Sequence, residues 1–377
     1  MIYKDFKGLK LSALGLGCMR FPTIDGDESK IDEARTAEMV KLAFDSGINY
    51  FDTAWGYHNG NSEPVIGKIL ENYPRESFYI ATKFPGYSQD NMGKAEEIFA
   101  KQLERCRVDY FDFYLIHCVC DSNIDAYLDE DKKYGDIEYL IKQRQAGKIK
   151  HLGFSTHANL TDLRRFLTRY GKEMEFCQIQ LNYLDWTQQD AKGQVEAVSE
   201  YNIPVWVMEP VRGGKLACID EKYEAMLRKL RPDETVPAWA FRFIQTIPEV
   251  VVTLSGMSNY EQLKENISTF SEEKPLDTKE WHTVMKIADS MQEKKALPCT
   301  ACRYCTSYCP KQIDIPQMIA LYNEHCFSDN GFVSPDAVSA TEEGKRPSDC
   351  ITCKSCEEVC PQKIRISDMM KDFAARL

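Results

Sequence analysis

The sequence predicts an α/β protein: a (β/α)8 TIM barrel followed by a small, mainly α-helical C-terminal domain. Eight short apolar segments alternate with eight amphipathic segments over about the first 270 residues, which is the count and length of such a barrel. Polar residues follow several apolar segments, where barrel enzymes keep their reactive groups. After Leu297 the composition changes, because eight of the 15 cysteines lie there in two tight clusters.

The predicted elements follow one another in a regular order. The predicted strands are 11–16, 49–53, 78–83, 111–117, 151–155, 176–181, 204–208 and 250–254. The predicted helices are 33–46, 62–71, 94–107, 136–146, 160–170, 190–201, 235–246 and 260–269. Ser62 is a candidate N-cap, and Gly47, Gly147 and Gly171 stand where helix C-caps would fall.

A doubly wound open sheet is the alternative fold for this alternation. Against it, no G-x-G-x-x-G follows the first strand, and candidate functional residues come from many strand ends. We therefore predict a barrel at residues 1–271 and a helical linker at 272–297, with a helix at 281–294. A separate cysteine-rich domain is predicted at 298–377.

Composition limits the cellular setting and the partners. The formal net charge of -11 argues against nucleic acid, which requires a basic surface. No apolar run approaches the ~20 residues of a membrane span, and the N-terminus lacks the apolar segment of a signal peptide. Clustered cysteines fit metal binding in a reducing compartment, so we expect a cytoplasmic protein that does not bind membranes.

Four residues at the predicted barrel mouth suggest proton transfer. Asp52 and Tyr57 follow the second strand, while Lys83 and His117 end the third and fourth. A free tyrosine has a pKa near ~10, and a neighbouring ammonium group favours its phenolate. Asp52 would hold that ammonium group in place, and His117 would orient a substrate carbonyl. This arrangement predicts Tyr57 as a proton donor with a lowered pKa.

The barrel region resembles the aldo-keto reductases. The resemblance rests on GLGCMRF (15–21), FDTAWGY (51–57), ATK (81–83), YLIH (114–117), GFSTH (153–157), QIQLN (178–182) and MEP (208–210). In that family the tyrosine is the general acid and a nicotinamide lies over the barrel mouth. The resemblance implies reduction or oxidation of a small carbonyl or alcohol with NAD(H) or NADP(H).

The resemblance also assigns cofactor-binding residues. Ser155, Thr156 and Gln178 would hold the nicotinamide carboxamide, and Met208 would lie beneath the ring, where the family usually has an aromatic residue. Members selective for NADPH carry Lys or Arg at the positions of Gly256 and Gln262, so NADH should bind at least as well as NADPH. The remaining predicted nucleotide contacts are Ser255, Asn266 and the loop residues Arg212, Gly213 and Gly214, where Arg212 or Lys215 could instead supply the missing charge.

The C-terminal cysteines form a repeated run. Cys299, Cys302, Cys305 and Cys309, followed by proline, recur 51 residues later as Cys350, Cys353, Cys356 and Cys360. This spacing is that of bacterial ferredoxins with 4Fe–4S clusters, in which the fourth cysteine binds the other cluster. We predict one cluster on Cys299, Cys302, Cys305 and Cys360, and another on Cys350, Cys353, Cys356 and Cys309. A zinc site, or two runs that each close their own cluster, are the alternatives.

The C-terminal domain resembles the α-helical ferredoxin domains of redox enzymes, and Cys326 belongs to neither run. We therefore predict an oxidoreductase with a possible redox partner protein. Hydride transfer moves two electrons together, whereas each cluster passes one, and the sequence contains no flavin signature. Two rival functions follow: an electron-transfer or docking protein whose barrel does not use nicotinamide, and an enzyme that performs single-electron chemistry at the barrel mouth.

Overall fold

The computed structural model describes residues 1–129, 133–293, 297, 299, 303, 305–328, 333–360 and 362–377. These residues form two compact units. The first contains residues 1–119 and 123–285, and the second contains residues 120–122 and 286–377. Within the described residues, we find no helix long and apolar enough to cross a membrane. Cys302 and Lys294, which carry sequence predictions, lie outside the described residues.

The first unit contains a closed barrel of eight parallel strands, which confirms the predicted fold. Its strands are β3 (Leu14–Gly17), β4 (Tyr50–Asp52), β5 (Tyr79–Phe84), β6 (Phe111–Val119), β7 (Ile149–Thr156), β8 (Cys177–Gln180), β9 (Val205–Met208) and β10 (Val250–Ser255). Each strand pairs with the next, and β10 pairs with β3 to close the ring. The carboxyl ends of all eight strands therefore meet at one end of the barrel.

The first predicted strand, 11–16, is wrong in its extent. The chain instead forms an antiparallel hairpin of β1 (Tyr3–Phe6) and β2 (Leu9–Ser12), and the barrel strand begins at Leu14. Phe6 packs edge-on against Trp206, with ring centroids 5.1 Å apart. Leu11 is fully buried in the same apolar cluster. The hairpin thus contributes its apolar face to the barrel core.

Helices surround the barrel and occupy some of its connecting loops. They are α1 (Glu33–Asp45), α2 (Ser62–Leu70), α3 (Ala95–Cys106), α4 (Ile124–Leu128), α5 (Asp136–Gln145), α6 (Leu160–Tyr170), α7 (Asp185–Gln188), α8 (Ala191–Ser199), α9 (Glu221–Arg228), α10 (Val236–Gln245) and α11 (Tyr260–Thr269). The short helices α4, α7 and α9 were not predicted. Gly47 and Gly147 adopt the expected left-handed backbone, with φ of 87° and 75°. Gly171 does not: it has φ of -56°, and the ring of Tyr201 occupies the space that a side chain would need.

The predicted linker helix is present as α12 (Thr278–Glu293). Its first turns pack on the barrel, because Trp281 stacks on Phe243 at 4.5 Å and Glu280 pairs with Arg231 at 2.6 Å. The domain limits at 271 and 297 remain a prediction from the sequence.

The second unit is mainly helical, with α13 (Ile315–Ser328), α14 (Val333–Ala340), α15 (Ser355–Glu358) and α16 (Ile366–Arg376). The 51-residue repeat continues into the fold, since α13 and α16 begin at equivalent positions. The residues that follow each cysteine run are buried in one core: Ile313, Ile315, Met318, Ile364, Ile366 and Met369. The two halves of the repeat thus bury their apolar residues together.

Candidate active site

The ammonium group of Lys83 is the centre of the barrel mouth. It is fully buried, and its nitrogen donates to Asp52 Oδ1 at 2.5 Å, to the Thr53 carbonyl at 2.8 Å and to Tyr57 Oη at 3.3 Å. A lysine ammonium has three N–H donors, so all of them are used. Because Tyr57 accepts one of these hydrogens, its own hydroxyl hydrogen remains available for donation.

The ionisation of this cluster differs from the sequence prediction. Burial raises the pKa of Tyr57 to about 12, and Lys83 only partly opposes that effect. Burial alone would lower the pKa of Lys83, but Asp52 and Tyr57 outweigh it and raise that pKa. The predicted lowering of the tyrosine pKa is therefore wrong in this state, because desolvation of the phenolate exceeds its attraction to the ammonium group. Tyr57 is held protonated, as a proton donor requires.

His117 reaches the same site from β6. Its ring meets Tyr57 edge-on at 6.0 Å and Tyr87 at 5.1 Å. Burial, followed by the charge of Lys83, lowers the pKa of His117 well below its usual value, so the imidazole is neutral. The strand register shifts between Ile116 and Val119, and Cys118 adopts φ of 56°. This bulge locally redirects the strand just beyond His117.

Ser155 and Gln178 form a pair suited to a carboxamide. They are register partners on neighbouring strands, and both are buried. Ser155 Oγ accepts from the Cys118 amide at 2.8 Å, which leaves the serine hydrogen for another acceptor. Gln178 Oε1 is buried without a hydrogen-bond partner in the described residues, while its Nε2 lies 3.5 Å from Met208 Sδ. One donor and one acceptor therefore stand side by side.

Thr156 lies next to this pair but has its hydroxyl already engaged. It donates to the Val119 carbonyl and accepts from the Ala158 amide, both at 3.1 Å. Its hydroxyl therefore supports the local backbone in this structure.

The residues predicted for the nucleotide lie in two places: from the end of β10 into α11, and in the loop after β9. Ser255 and Asn266 are buried and hydrogen-bonded to each other at 3.1 Å. Gln262 is exposed at the start of α11, where its Oε1 accepts from the Ser258 amide at 2.8 Å. The side chain of Arg20 covers Gly256, since a β-carbon there would approach Arg20 Cγ to 2.8 Å.

The loop after β9 keeps the Arg212 side chain away from solvent. Arg212 is buried and its Nε donates to Asp185 at 3.1 Å. Gly213 and Gly214 follow with φ of 62° and 97°. The paired guanidinium group is less suited to an added phosphate than the sequence suggested, because it already neutralises a buried carboxylate.

Residues 13–289 match the Aldo/keto reductase family. The chain belongs to the aldo/keto reductase family. It is 24% identical to the uncharacterized oxidoreductase YqkF of Bacillus subtilis over 290 residues, covering 69% of this chain and 87% of that protein. It is 25% identical to the NADH-specific methylglyoxal reductase of Escherichia coli over 309 residues, covering 70% and 91%. The structure of aldo-keto reductase AKR11C1 from Bacillus halodurans superposes with a TM-score of 0.62 at 24% identity, covering 76% of this chain and 96% of that one.

This aldo/keto reductase also gathers cysteines in its second unit. One cavity is lined by Cys309 from the first run and by Cys350, Cys353 and Cys356 from the second. That is the crossed set that the sequence predicts. Of the other predicted set, Cys299 and Cys360 pack against the core that contains Cys305, and Cys302 lies outside the described residues. Residues 298–364 match the 4Fe-4S dicluster domain family, and a set of four thiols around one cavity fits such a group.

A buried polar network behind Lys83 was missed by the sequence analysis. Glu63 is fully buried and accepts from Thr82 Oγ1 at 2.6 Å, Gln102 Nε2 at 2.7 Å and Arg105 at 3.2 Å. Gln102 also donates to the Lys83 carbonyl at 2.9 Å. Arg105 lies 3.9 Å over the ring of Trp55. The network thus connects the backbone of Lys83 with the loop that carries Tyr57, from residues far apart in sequence.

Two more side chains of the aldo/keto reductase barrel hold the loops near the site. His58 is buried, accepting from the Phe21 amide at 3.1 Å and contacting the Glu28 carbonyl at 2.9 Å. Ser62 does not cap α2; it bonds instead to Thr53 Oγ1 at 2.9 Å and to the Cys18 carbonyl at 3.0 Å. Both side chains fix the loops at the barrel mouth.

Proposed function

We propose that this protein is a nicotinamide-dependent oxidoreductase acting on a small carbonyl or alcohol at the barrel mouth. We further propose that its C-terminal domain carries two 4Fe–4S clusters that exchange electrons with a redox partner protein. The observation that carries the barrel proposal is the complete set of three hydrogen bonds at Lys83, which leaves the Tyr57 proton available beside a neutral His117.

Each barrel residue has a definable task in this reaction. A bound nicotinamide would supply or accept a hydride. Ser155 and Gln178 would hold its carboxamide, since one offers a hydrogen and the other a buried oxygen acceptor. His117 would bind the substrate oxygen as a neutral hydrogen-bond donor. Tyr57 would give its proton to that oxygen as negative charge develops there.

Lys83 and Asp52 act through Tyr57. The ammonium group already contacts Tyr57 Oη, so it would stabilise the phenolate left after proton transfer. Asp52, buried and in contact with Lys83 Nζ, keeps that ammonium charged and oriented. A high pKa in the resting site and a stabilised phenolate after transfer are compatible, because the substrate alkoxide is far more basic than a phenolate.

A titration of anaerobically purified protein with NADH and NADPH tests this proposal. A panel of small aldehydes and ketones that includes methylglyoxal, for which the Escherichia coli relative is named, should cause stoichiometric nicotinamide oxidation. The cluster absorbance should stay unchanged during that turnover. Bleaching of the clusters by the nicotinamide alone would favour single-electron chemistry, and no binding of either nucleotide would favour the docking-protein alternative.

A further inference from the structure

The two halves of the cysteine repeat share a backbone geometry at equivalent positions. Arg303 and its equivalent Lys354 have φ of 63° and 62°. Gln312 and its equivalent Lys363 have φ of 54° and 51°. These residues are not glycines, so the same uncommon left-handed conformation occurs twice at matching places. The repeat is therefore a structural one, and differences in side chains between its halves can be compared directly.

The halves differ in charge. Arg303 is ion-paired with Asp314, 11 residues further along. The positions 51 residues later are Lys354 and Arg365, which are both cations. A neutral pair in the first half thus becomes two like charges in the second. Arg365 is 85% exposed and approaches a carboxylate, that of Asp368, only to 4.0 Å.

Lys354, whose equivalent Arg303 is ion-paired in the first half, lies at the rim of the four-cysteine cavity. Lys311, Ile351 and Lys354 line that cavity together with Cys353. All four are exposed, and Ile351 is 54% exposed. Within the described part of the chain, neither lysine forms an ion pair. We name this surface, made by Lys311, Ile351, Cys353 and Lys354, the lysine face.

Two glutamates lie near the lysine face. Glu358 is exposed and acts on Cys353 electrostatically. Glu357 accepts from the Ser367 amide at 2.8 Å and from its hydroxyl at 2.5 Å, which commits its carboxylate to α16, although Lys354 also attracts it electrostatically. The lysine face therefore carries cations around an exposed apolar residue, on a chain whose net charge is -11.

We propose that the lysine face is the docking surface for a small acidic one-electron carrier protein. The proposal rests on the second cluster of the proposed function and not on the barrel reaction. One electron would pass from the reduced centre of the carrier to the oxidised cluster held by Cys309, Cys350, Cys353 and Cys356, with no bond made or broken and no proton moved. An acidic carrier is repelled by the chain as a whole and attracted at this face, so the charge distribution selects its orientation.

Stopped-flow reduction of the full, cluster-loaded protein tests the proposal. The probes are a reduced flavodoxin, which is acidic, and reduced methyl viologen, a small cation. For the wild-type protein, the rate with flavodoxin should fall as salt rises, because screening weakens the attraction. In the double variant Lys311→Glu/Lys354→Glu, this rate should fall at least about tenfold at low salt, whereas the rate with methyl viologen should not fall.

The control variant is Lys172→Glu/Lys229→Glu, which makes the same change in net charge at two exposed lysines of the barrel unit. It should keep most of the flavodoxin rate. Binding of oxidised flavodoxin, measured by calorimetry, should weaken in the lysine-face variant only, which gives a readout independent of turnover. If the charge reversal costs clusters, the milder Lys311→Gln/Lys354→Gln variant replaces it, with a smaller decrease expected.

Three results would overturn the proposal: a wild-type flavodoxin rate that does not fall with salt, equal decreases in the two charge-reversal variants, or equal decreases with both reductants. A wild-type protein that lacks the second cluster by iron analysis would instead refute the proposed function on which this inference depends. The two failures can therefore be told apart.

Discussion

The barrel mouth and the cysteine unit assemble their reactive groups in different ways. At the mouth, Lys83, Asp52 and Tyr57 hold one another through hydrogen bonds, and the network of Glu63 supports them from behind. In the cysteine unit, apolar residues such as Ile313, Ile366 and Met370 pack the thiols around a cavity. The mouth is therefore organised by the chain itself, whereas a thiolate site gains its full stability when iron and sulfide join it.

Substituting the proton donor should give the largest effect and leave the cysteine unit untouched. Tyr57→Phe should lose ~10²–10⁴ in turnover, as expected for a removed general acid, with iron content unchanged. Since the pKa of Tyr57 is about 12, its ionisation should not reduce the wild-type carbonyl-reduction rate between pH 7 and 9. Tyr260→Phe, at an exposed tyrosine, is the control. Full activity in Tyr57→Phe would refute the barrel mechanism.

Removing a crossed ligand should damage the cysteine unit and spare the mouth. Cys309→Ser should cost up to half of the iron and labile sulfide, because Cys309 lines the cavity of the second run. Adding Cys353→Ser should cost no further iron, whereas adding Cys299→Ser should remove the rest. Cys326→Ser, at a cysteine outside both runs, should keep all of it. The reverse pattern in the two double variants would show that each run closes its own cluster.

Protonation of the half-buried His157 should destabilise the barrel unit as the pH falls. Burial lowers the pKa of His157 to about 4, below the unfolded value of ~6.5, so the unfolded state binds more protons between these values. The free energy of unfolding should therefore fall by about 2 kcal/mol between pH 6.5 and 5. All five tryptophans lie in the barrel unit, so urea unfolding followed by their fluorescence reports on it. In His157→Gln the free energy of unfolding should fall less over this pH range. A fall equal to that of the wild type would contradict the assignment to His157.

A substitution at Gln262, where the nucleotide is predicted to bind, should give the smallest effect. The wild-type protein should bind NADH at least as well as NADPH, since Gly256 and Gln262 carry no charge and Arg212 is paired with Asp185. Gln262→Arg should shift preference towards NADPH by about tenfold or more, from a charged hydrogen bond of ~1.5–3 kcal/mol. Gln262→Met controls for loss of the bond to the Ser258 amide. Hundredfold tighter binding of NADPH by the wild type would show that another cation serves the phosphate.

The sequence allowed prediction of the site residues that follow a strand. It did not allow prediction of buried residues that contact one another only in the folded chain. Asp52, Lys83 and His117 could be placed because each ends an apolar segment. The roles of Glu63 and Gln102 depend on contacts 39 residues apart in the chain, which no local pattern indicates. The direction of the Tyr57 pKa was missed for a related reason: the residues suggest the charge beside it, whereas desolvation depends on complete packing.

The cysteine unit shows the same division. The 51-residue spacing predicted both runs and the crossed set, because ligand spacing is a local property. Lys311 and Lys354 come from different halves of the repeat, so only the fold shows that they line one cavity. Likewise, the hairpin before β3 depends on how Phe6 and Trp206 meet in the barrel core.

The central claim is that the barrel mouth transfers a hydride while the clusters carry single electrons elsewhere. The most direct test uses nicotinamide carrying deuterium at the transferred C4 position, a reducible small aldehyde and the cluster-loaded protein in ordinary water. Mass spectrometry of the alcohol should find one deuterium per product at the former carbonyl carbon. A product that carries solvent hydrogen there, formed with transient bleaching of the clusters, would contradict the claim and show that electrons reach the substrate one at a time.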